Sequence, residues 1–359
     1  MDRATAKSRY LAHPARMVTA LAVLAAVILS GCATPPGVVF EAAADAPAWP
    51  TPPDQPRIRY VGQLRTDDDL KAGRSGLQRL GDAIFGRKAV QGMVSPMAVC
   101  TDGAERVFIA DSGAQMVHVL DLGSRRHERW APTEPAARFI QPVGIACDDS
   151  GRVLVSDSQA SQVVALTSEG KVAGILGRGS LRRPCGLSVD PRTQRIFVAD
   201  AGAHQVVVLN PDGTESARIG ERGGGPGQFN YPTNVAFDGA GRLYVSDSLN
   251  FRVQVFDTDL RPLSQIGRKG DMPGYFAQPK GLALDSADHL YVVDANFEAV
   301  QLFDQRGSLL MNFGREGSGP GEFWLPAGMY IDPKNRIWIA DSYNRRVQVF
   351  DYLPEVTRP

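Results

Sequence analysis

The sequence predicts an all-β protein in which six four-stranded antiparallel blades surround a central axis as a β-propeller. A unit of about 42–48 residues recurs six times, which is too long for a leucine-rich or ankyrin repeat and suits one propeller blade. Within each unit, short β-branched and aromatic stretches are separated by Gly, Asp, Asn or Pro, as expected for strands joined by turns. Apolar residues at helical spacing are absent from the clearest unit, residues 231–267.

Every unit has two landmarks, a proline that opens it and an aspartate that ends its second apolar stretch. The opening prolines are Pro96, Pro142, Pro184, Pro232, Pro279 and Pro326. The aspartates are Asp111, Asp157, Asp200, Asp247, Asp294 and Asp341. We interpret this aspartate as a cap of the turn that follows it, because an Asp side chain accepts N–H groups of its own turn.

The clearest unit predicts four strands, a to d, at Val235–Phe237, Leu243–Val245, Val253–Phe256 and Leu263–Ile266. Antiparallel order puts the a–b and c–d turns on one face of the ring and the b–c and d–a loops on the other. We call these the a–b/c–d face and the b–c/d–a face. The b–c/d–a loops vary more between units, as binding loops do.

The sixth unit lacks a fourth strand, because only residues 352–359 follow its third apolar stretch. Residues 57–64, upstream of the first unit, have a strand-like pattern and no partner of their own. We therefore predict that this segment completes the last blade and closes the ring, which removes an unpaired sheet edge. The predicted propeller spans residues 57–353 and leaves a short tail, 354–359. Residues 76–85 predict a short helix over one face, with a plug over the channel as the alternative.

Two units carry a fuller motif, Asn-x-Arg-Val-Gln-Val-Phe, at residues 250–256 and 344–350. With the Pro-x-Gly and Gly-Arg-Leu-Tyr-Val-x-Asp patterns, these units resemble NHL repeats. Ala114, Ala160 and Ala203 stand at the Asn position in the first three units. The resemblance covers about residues 89–353 and implies the six-bladed fold, without implying a particular activity.

The first 31 residues predict a signal peptide. Arg3, Lys7, Arg9 and Arg16 precede an apolar run that is too short to span a bilayer stably. The run ends in Leu-Ser-Gly-Cys, which resembles the lipobox of bacterial lipoproteins. The resemblance implies cleavage before Cys32 and attachment of several acyl chains to it, enough for stable membrane anchoring. By resemblance to proteobacterial sorting rules, Ala33 favours the outer membrane, with the protein facing the periplasm. A soluble secreted protein is the alternative.

Residues 32–56 predict an extended tether. Seven prolines occur there among few apolar residues, a composition typical of stiff, extended linkers. Such a segment could reach several tens of ångströms from a bilayer, at about 3.1 Å per residue.

The net charge of the chain and the distribution of its basic residues indicate which class of partner it binds. The chain has a formal net charge of zero, and removal of residues 1–31, with four basic residues and one acidic residue, changes it to −3. This balance gives no support for a nucleic-acid partner. The b–c/d–a face is nevertheless mildly basic, which predicts a cell-envelope protein or an anionic polysaccharide as its ligand, with solvated loop charge as the alternative. The candidate binding residues are Arg178, Arg182, Arg183, Thr233, Asn234, Lys280 and Arg345.

An enzyme is the rival hypothesis, because related six-bladed propellers include metal-dependent lactonases and lyases. Such sites place polar ligands at the inner ends of strands a. The positions two after each repeat proline, taken as those ends, offer one ligand side chain, Asn234. The four histidines beyond the leader share no repeat position and form no close-spaced pair. We therefore predict no catalytic residue, no metal site and no cofactor.

Two cysteines occupy strands a of neighbouring blades, Cys100 in the first and Cys147 in the second. They lie one position out of register, and adjacent strand positions point to opposite sheet faces. The two thiols are thus predicted to face each other between the blades. A disulfide, possible in an oxidising periplasm, and a pair of buried free thiols remain alternatives.

Overall fold

A computed structural model describes residues 39–51, 53–70 and 92–353. The described chain forms six β-sheets arranged as the blades of a propeller, which confirms the predicted fold class. The predicted signal peptide, the lipidation site Cys32, the helix at 76–85 and the tail at 354–359 lie outside the described residues.

The first three blades each contain strands in the order a, b, c, d from the axis outward. Blade one comprises β3 Pro96–Thr101, β4 Arg106–Asp111, β5 Met116–Asp121 and β6 Arg126–Trp130. Blade two comprises β7 Pro142–Cys147, β8 Val153–Asp157, β9 Gln162–Leu166 and β10 Val172–Leu176. Blade three comprises β11 Pro184–Val189, β12 Ile196–Asp200, β13 Gln205–Leu209 and β14 Glu215–Ile219.

The other three blades repeat this order, and the last one uses a strand from upstream of blade one. Blade four comprises β15 Pro232–Phe237, β16 Leu243–Asp247, β17 Arg252–Phe256 and β18 Pro262–Ile266. Blade five comprises β19 Pro279–Leu284, β20 Leu290–Asp294, β21 Ala299–Phe303 and β22 Leu309–Phe313. Blade six comprises β25 Pro326–Ile331, β26 Arg336–Asp341, β27 Arg346–Tyr352, β2 Ile58–Leu64 and β1 Ala48–Trp49. Short elements are β23 Arg315–Glu316, β24 Glu322–Phe323 and the 3-10 turns Asp67–Leu70 and Ser248–Asn250.

The ring closes between β2 and β27, as predicted. The two strands are antiparallel, with Ile58 opposite Tyr352 at one end and Leu64 opposite Val347 at the other. The segment upstream of blade one thus supplies the fourth strand that the sixth repeat lacks. This pairing joins both ends of the propeller in one sheet and covers the edge of β27.

The core lies between neighbouring blades. Phe229, Phe276 and Phe323, which end the three glycine-rich d–a loops, are fully buried and pack against Phe256, Phe303 and Phe350 respectively. Each of these phenylalanines shares a cluster with residues of two successive blades. The loop phenylalanines therefore wedge between successive blades.

Two glycines explain why Pro-x-Gly recurs at the start of strand a. A Cβ added to Gly281 would lie 2.5 Å from the carbonyl oxygen of Ala327, and one added to Gly328 would lie 2.5 Å from that of Met97. Real Cβ atoms do not approach backbone oxygens so closely. At these two positions the inner strands of neighbouring blades therefore pack at a separation that only glycine permits.

The repeat aspartates are 0 % exposed in all six blades. Asp111 accepts an N–H group from Ala114 in its own b–c turn, as predicted, and also from Val94 and Ser95 of the incoming d–a segment. In the same way, two successive N–H groups of the incoming d–a segment donate to the equivalent carboxylate in three other blades, that of Asp157, Asp200 or Asp294. This carboxylate therefore fixes both kinds of loop on the b–c/d–a face.

The structure corrects the predicted tether at residues 39–51 and 53–56, part of which packs on the propeller. Phe40 is buried and meets the Trp338 ring edge-on, with 5.5 Å between centroids. Trp49 packs against Phe313 and Phe350, and Ala48–Trp49 adds a fifth strand to blade six. Burial of these aromatic side chains outweighs the preference of the surrounding prolines for an extended linker.

Candidate ligand-binding face and central channel

A cavity of about 700 Å³ follows the propeller axis. Its lining includes Gln141, Ser158 and Arg183 from the b–c/d–a face and Asp149 and Gln194 from the a–b/c–d face. The cavity therefore runs along the axis between the two faces and offers a concave site of the size that small ligands or side chains occupy.

The channel is lined by the predicted positions, two after each repeat proline, and also by the positions directly after the proline. One residue from each blade, directly after the repeat proline, lines the channel: Met97, Val143, Cys185, Thr233, Lys280 and Ala327. The glycines one position later sit against the neighbouring inner strand, as shown for Gly281 and Gly328. The position directly after the repeat proline therefore adds side chains to the axis, such as Lys280 and Thr233, that the sequence did not indicate.

The channel mouth on the b–c/d–a face is basic. Arg183 and Lys280 line it, and the charged residue Asp149 belongs to the opposite end. Burial lowers the pKa of Lys280 from its usual value, and the carboxylate of Asp294 opposes that shift. No ion pair joins Arg183 or Lys280 to a carboxylate among the described residues. A ligand with negative charge would supply the missing counter-charge and raise the pKa of Lys280.

Thr233 and Asn234 also line the channel. The Thr233 hydroxyl lies 2.6 Å from that of Ser248. The Asn234 amide oxygen accepts the N–H of Val235 at 2.8 Å and lies against Gly186 of blade three. Both side chains are therefore partly engaged in holding blade four, and each keeps polar capacity toward the channel.

The other predicted binding residues lie outside the lining. Arg178 donates to the carbonyl of Ala136 and the side chain of Gln162, both at 3.4 Å, so it contacts blade two. Arg182 is exposed, and its backbone N–H is held by Asp200. Arg345 is exposed in the b–c turn of blade six, with φ of 55°. The structure thus brings Arg183, Lys280, Thr233 and Asn234 together and leaves these three arginines around them.

An aromatic pair that the sequence did not indicate lies on the same face. Trp324 and Tyr343 are 51 % and 59 % exposed, and their rings lie 5.4 Å apart. Trp324 stands two residues before its repeat proline and Tyr343 two residues after its repeat aspartate. An alignment of the six units by these landmarks would have identified both as variable loop positions.

The two thiols between blades one and two are in contact. The Sγ atoms of Cys100 and Cys147 lie 2.7 Å apart, and neither cysteine is bonded. Burial is the main cause that raises the pKa of Cys100 well above its usual value, and the hydrogen bond to Cys147 is the next largest cause. Because the thiolate is the reactive form, the pair should react slowly once the protein has folded.

We expect refolding in oxidised glutathione to join Cys100 to Cys147, because their sulfurs already meet. The disulfide would link two residues that are 47 positions apart in the sequence. It would raise the free energy of unfolding by about 2–4 kcal/mol. Thiol titration after denaturation, peptide mapping and urea unfolding measure this. Cys147→Ser is the matched control and should gain nothing. An oxidised wild-type protein that retains both thiols would contradict the prediction.

Two histidines, the buried His118 and the half-buried His127, form a pair in the outer part of blade one. The two His118 ring nitrogens lie 3.0 Å from Nε2 of His127 and 3.1 Å from the Asp111 carboxylate. Burial lowers the pKa of His127 to about 4. No group of three or more His, Cys, Asp or Glu side chains is arranged to hold a metal ion within the described ranges. In the same ranges, no helix has the length and apolarity to cross a bilayer.

Comparisons with known families agree with this fold. The NHL repeat model matches residues 229–256, and a model described as 6-bladed beta-propeller matches residues 285–354. Together with the six sheets, these matches show that the chain is a six-bladed β-propeller that contains an NHL repeat. Among curated protein sequences, none matches it.

Solved structures with the same fold have diverse functions. Virginiamycin B lyase from Staphylococcus aureus is 14% identical, with a TM-score of 0.54 over 72% of this chain and 96% of that one. An auxiliary nutrient binding protein from Bacteroides thetaiotaomicron is 13% identical, with a TM-score of 0.58 over 73% and 70%. Hydrazine synthase from Kuenenia stuttgartiensis is 13% identical, with a TM-score of 0.54 over 77% and 99%. At these identities the likeness establishes the fold alone.

Proposed function

We propose that this protein is a binding or scaffold propeller of the bacterial cell envelope. A lipid on Cys32 anchors it, in the outer membrane and facing the periplasm, and its b–c/d–a face recognises a protein or an anionic glycan. The lipid anchor rests on the basic leader, the apolar run and the Leu-Ser-Gly-Cys motif.

One observation carries the binding proposal: the basic groups at the channel mouth lack carboxylate partners. Arg182 and Arg183 are exposed side by side on blade three, and Lys280 of blade five lines the same channel as Arg183 and has a lowered pKa. By contrast, the a–b/c–d face neutralises its arginines locally, as in the Arg106–Asp102, Arg152–Asp148 and Arg242–Asp238 ion pairs. Unpaired positive charge at a concave mouth attracts anionic ligands and speeds their association.

The shared fold with auxiliary nutrient binding proteins of Bacteroides is compatible with a binding role. Those proteins have the same kind of rigid sheet framework at 12–13% identity. A propeller of this type can change its loops without changing its core, so a ligand must be sought through the loops of this chain.

Charge reversal tests the proposal. The double variant Arg182→Glu/Arg183→Glu should weaken binding of fluorescein-labelled polygalacturonate or poly-L-glutamate at least about tenfold at low ionic strength. Fluorescence anisotropy measures the affinity. Arg178→Glu can be added to extend the reversed patch, and thermal unfolding confirms that the variants remain folded.

The matched control reverses two charges on the opposite face. Arg261 and Arg306 are exposed in c–d turns of blades four and five, so Arg261→Glu/Arg306→Glu should leave the affinity unchanged. Equal losses in both double variants would mean that only net charge matters and would remove the proposed face. Unchanged binding in both variants would remove the proposal altogether.

The second candidate is a metal-dependent hydrolase or lyase, which the fold shared with virginiamycin B lyase brings into consideration. Elemental analysis of the purified protein distinguishes it. Stoichiometric calcium or zinc, lost when Asn234 is replaced by Ala, would favour the enzyme over the binding protein.

A further inference from the structure

The b–c/d–a face has one equivalent surface position in every blade. The residue two before each repeat proline donates its backbone N–H to the buried aspartate of its own blade, at 2.6–2.9 Å in all six cases. These rim positions are Val94, Ile140, Arg182, Asn230, Ala277 and Trp324. Because the backbone is fixed in the same way six times, differences between blades lie in the side chains.

Three successive blades present apolar side chains at the rim. Trp324 of blade six, Val94 of blade one and Ile140 of blade two are 51 %, 48 % and 42 % exposed. Tyr343 adds a second ring beside Trp324 and donates its N–H to the Trp324 carbonyl at 3.3 Å. We call these four residues the apolar arc.

Hydrogen bonds between blades hold the arc together. Ser342, next to Tyr343, donates its hydroxyl to the carbonyl of Pro96 in blade one at 2.6 Å. The side chain of Gln115 in blade one donates to the carbonyl of Ile140 in blade two at 2.9 Å. The exposed apolar groups therefore stand on a rigid base and need little ordering when they bind, which favours affinity.

Exposed large hydrophobic residues are concentrated on this face of the ring. Seven of the nine large hydrophobic residues exposed in the described part of the chain lie in b–c or d–a loops, and the other two, Leu263 and Leu310, lie in outermost strands. None lies in an a–b or c–d turn. Scattered exposed apolar residues need no explanation, whereas their concentration on one face marks an interaction surface.

Positive charge adjoins the arc. Blade three carries Arg182 at the same rim position, followed by Arg183, and Lys280 lines the channel mouth. A partner that covers this face must bury apolar surface against blades six, one and two and supply negative charge near blade three. Tryptophan, tyrosine and arginine are also the residue types that dominate the energetics of protein interfaces.

We infer that the occupant of this face is a polypeptide segment that combines apolar and acidic side chains. This inference rests on the proposed function and makes its ligand class specific. A sugar ring can stack on Trp324, but against Val94 and Ile140 its hydroxyl groups would lose water without gaining hydrogen bonds. Apolar side chains have no such cost, and carboxylates on the same segment complement Arg182, Arg183 and Lys280.

A random dodecapeptide library displayed on phage and selected on the purified full chain provides the probe. Selected peptides should combine Trp, Phe, Leu or Ile with Asp or Glu. Synthetic copies should bind Trp324→Ala and Tyr343→Ala at least about tenfold more weakly than wild type. Leu263→Ala and Leu310→Ala remove equally exposed side chains from outermost strands and should leave affinity unchanged. Thermal unfolding verifies that all four variants are folded.

Several outcomes would overturn the inference. One is a library that yields no binding peptide, or peptides that bind Trp324→Ala as tightly as wild type. Another is polygalacturonate binding that Trp324→Ala abolishes while no peptide binds, which would identify a glycan and leave the proposed function intact. A dimer in light scattering that Trp324→Ala dissociates would identify a second copy of this chain. If neither Trp324→Ala nor Arg182→Glu/Arg183→Glu affects any probe, both proposals fail.

Discussion

Replacement of Arg346 by methionine should lower the free energy of unfolding by about 3–5 kcal/mol, because it breaks a buried ion pair and leaves its partner charged. Arg346 is 1 % exposed, and its guanidinium lies 2.7 Å from the Asp341 carboxylate. It also donates to the side chain of Gln63 on the closing strand at 2.9 Å, and to three loop carbonyls, of Ser318, Gly319 and Glu322. A methionine side chain fills much of the same volume but donates no hydrogen bond to any of these groups.

Urea unfolding, followed by tryptophan fluorescence, measures this loss. The matched control is Arg315→Met, because Arg315 also pairs with a carboxylate, that of Glu322 at 2.8 Å, while its side chain is 80% exposed. Its loss should be below about 1 kcal/mol. If the two substitutions have similar effects, the buried network of Arg346 does not stabilise blade six as we infer.

Replacement of Ile58 by alanine should lower the free energy of unfolding by about 2–5 kcal/mol, since a fully buried side chain leaves a cavity. Ile58 is 0 % exposed and shares a cluster with Phe350 and Ile337 of blade six. It lies on β2, so the substitution measures what the closing strand contributes to the core of the ring. Urea unfolding gives the loss, and limited proteolysis reports whether β2 detaches.

Arg59, the next residue, is the matched control. It lies on the same strand, pairs opposite Asp351 and is exposed. Arg59→Ala should therefore change the free energy of unfolding by no more than about 0.5 kcal/mol. Similar losses for Ile58→Ala and Arg59→Ala would mean that β2 is held mainly by backbone pairing, and our account of its packing would be wrong.

Much of the fold could be predicted because the same local signals recur six times. The turn and strand pattern of residues 231–267 predicts four strands, and the structure has them with longer bounds, such as Pro232–Phe237 in place of Val235–Phe237. The last unit lacks a fourth strand. Because an unpaired sheet edge is unfavourable, this gap predicts that another segment of the chain fills it. Both predictions depend on local sequence patterns, either those present in one repeat or the one missing from the last repeat.

The remaining features depend on contacts between repeats. Strand alternation shows that Gly281 and Lys280 point to different sides, but only the packing of Ala327 against Gly281 decides which side faces the axis. Phe40 and Trp49 occur among prolines, and nothing local indicates that each will pack on blade six. The apolar arc was missed because its members come from three blades and form a surface only when the ring closes.

β2 pairs with β27, the last strand of the propeller in chain order, and this order affects how the chain folds. Gln63 and Arg346, which hydrogen-bond across the closed sheet, are 283 residues apart, and contacts this distant in sequence form slowly. Until β27 is made, the segment around residue 60 has no strand to pair with, and the unfinished ring exposes apolar surface on blades one and five. The ring can therefore close only once the chain through Tyr352 is available to β2, and a chain that stops short of it should expose apolar surface and aggregate.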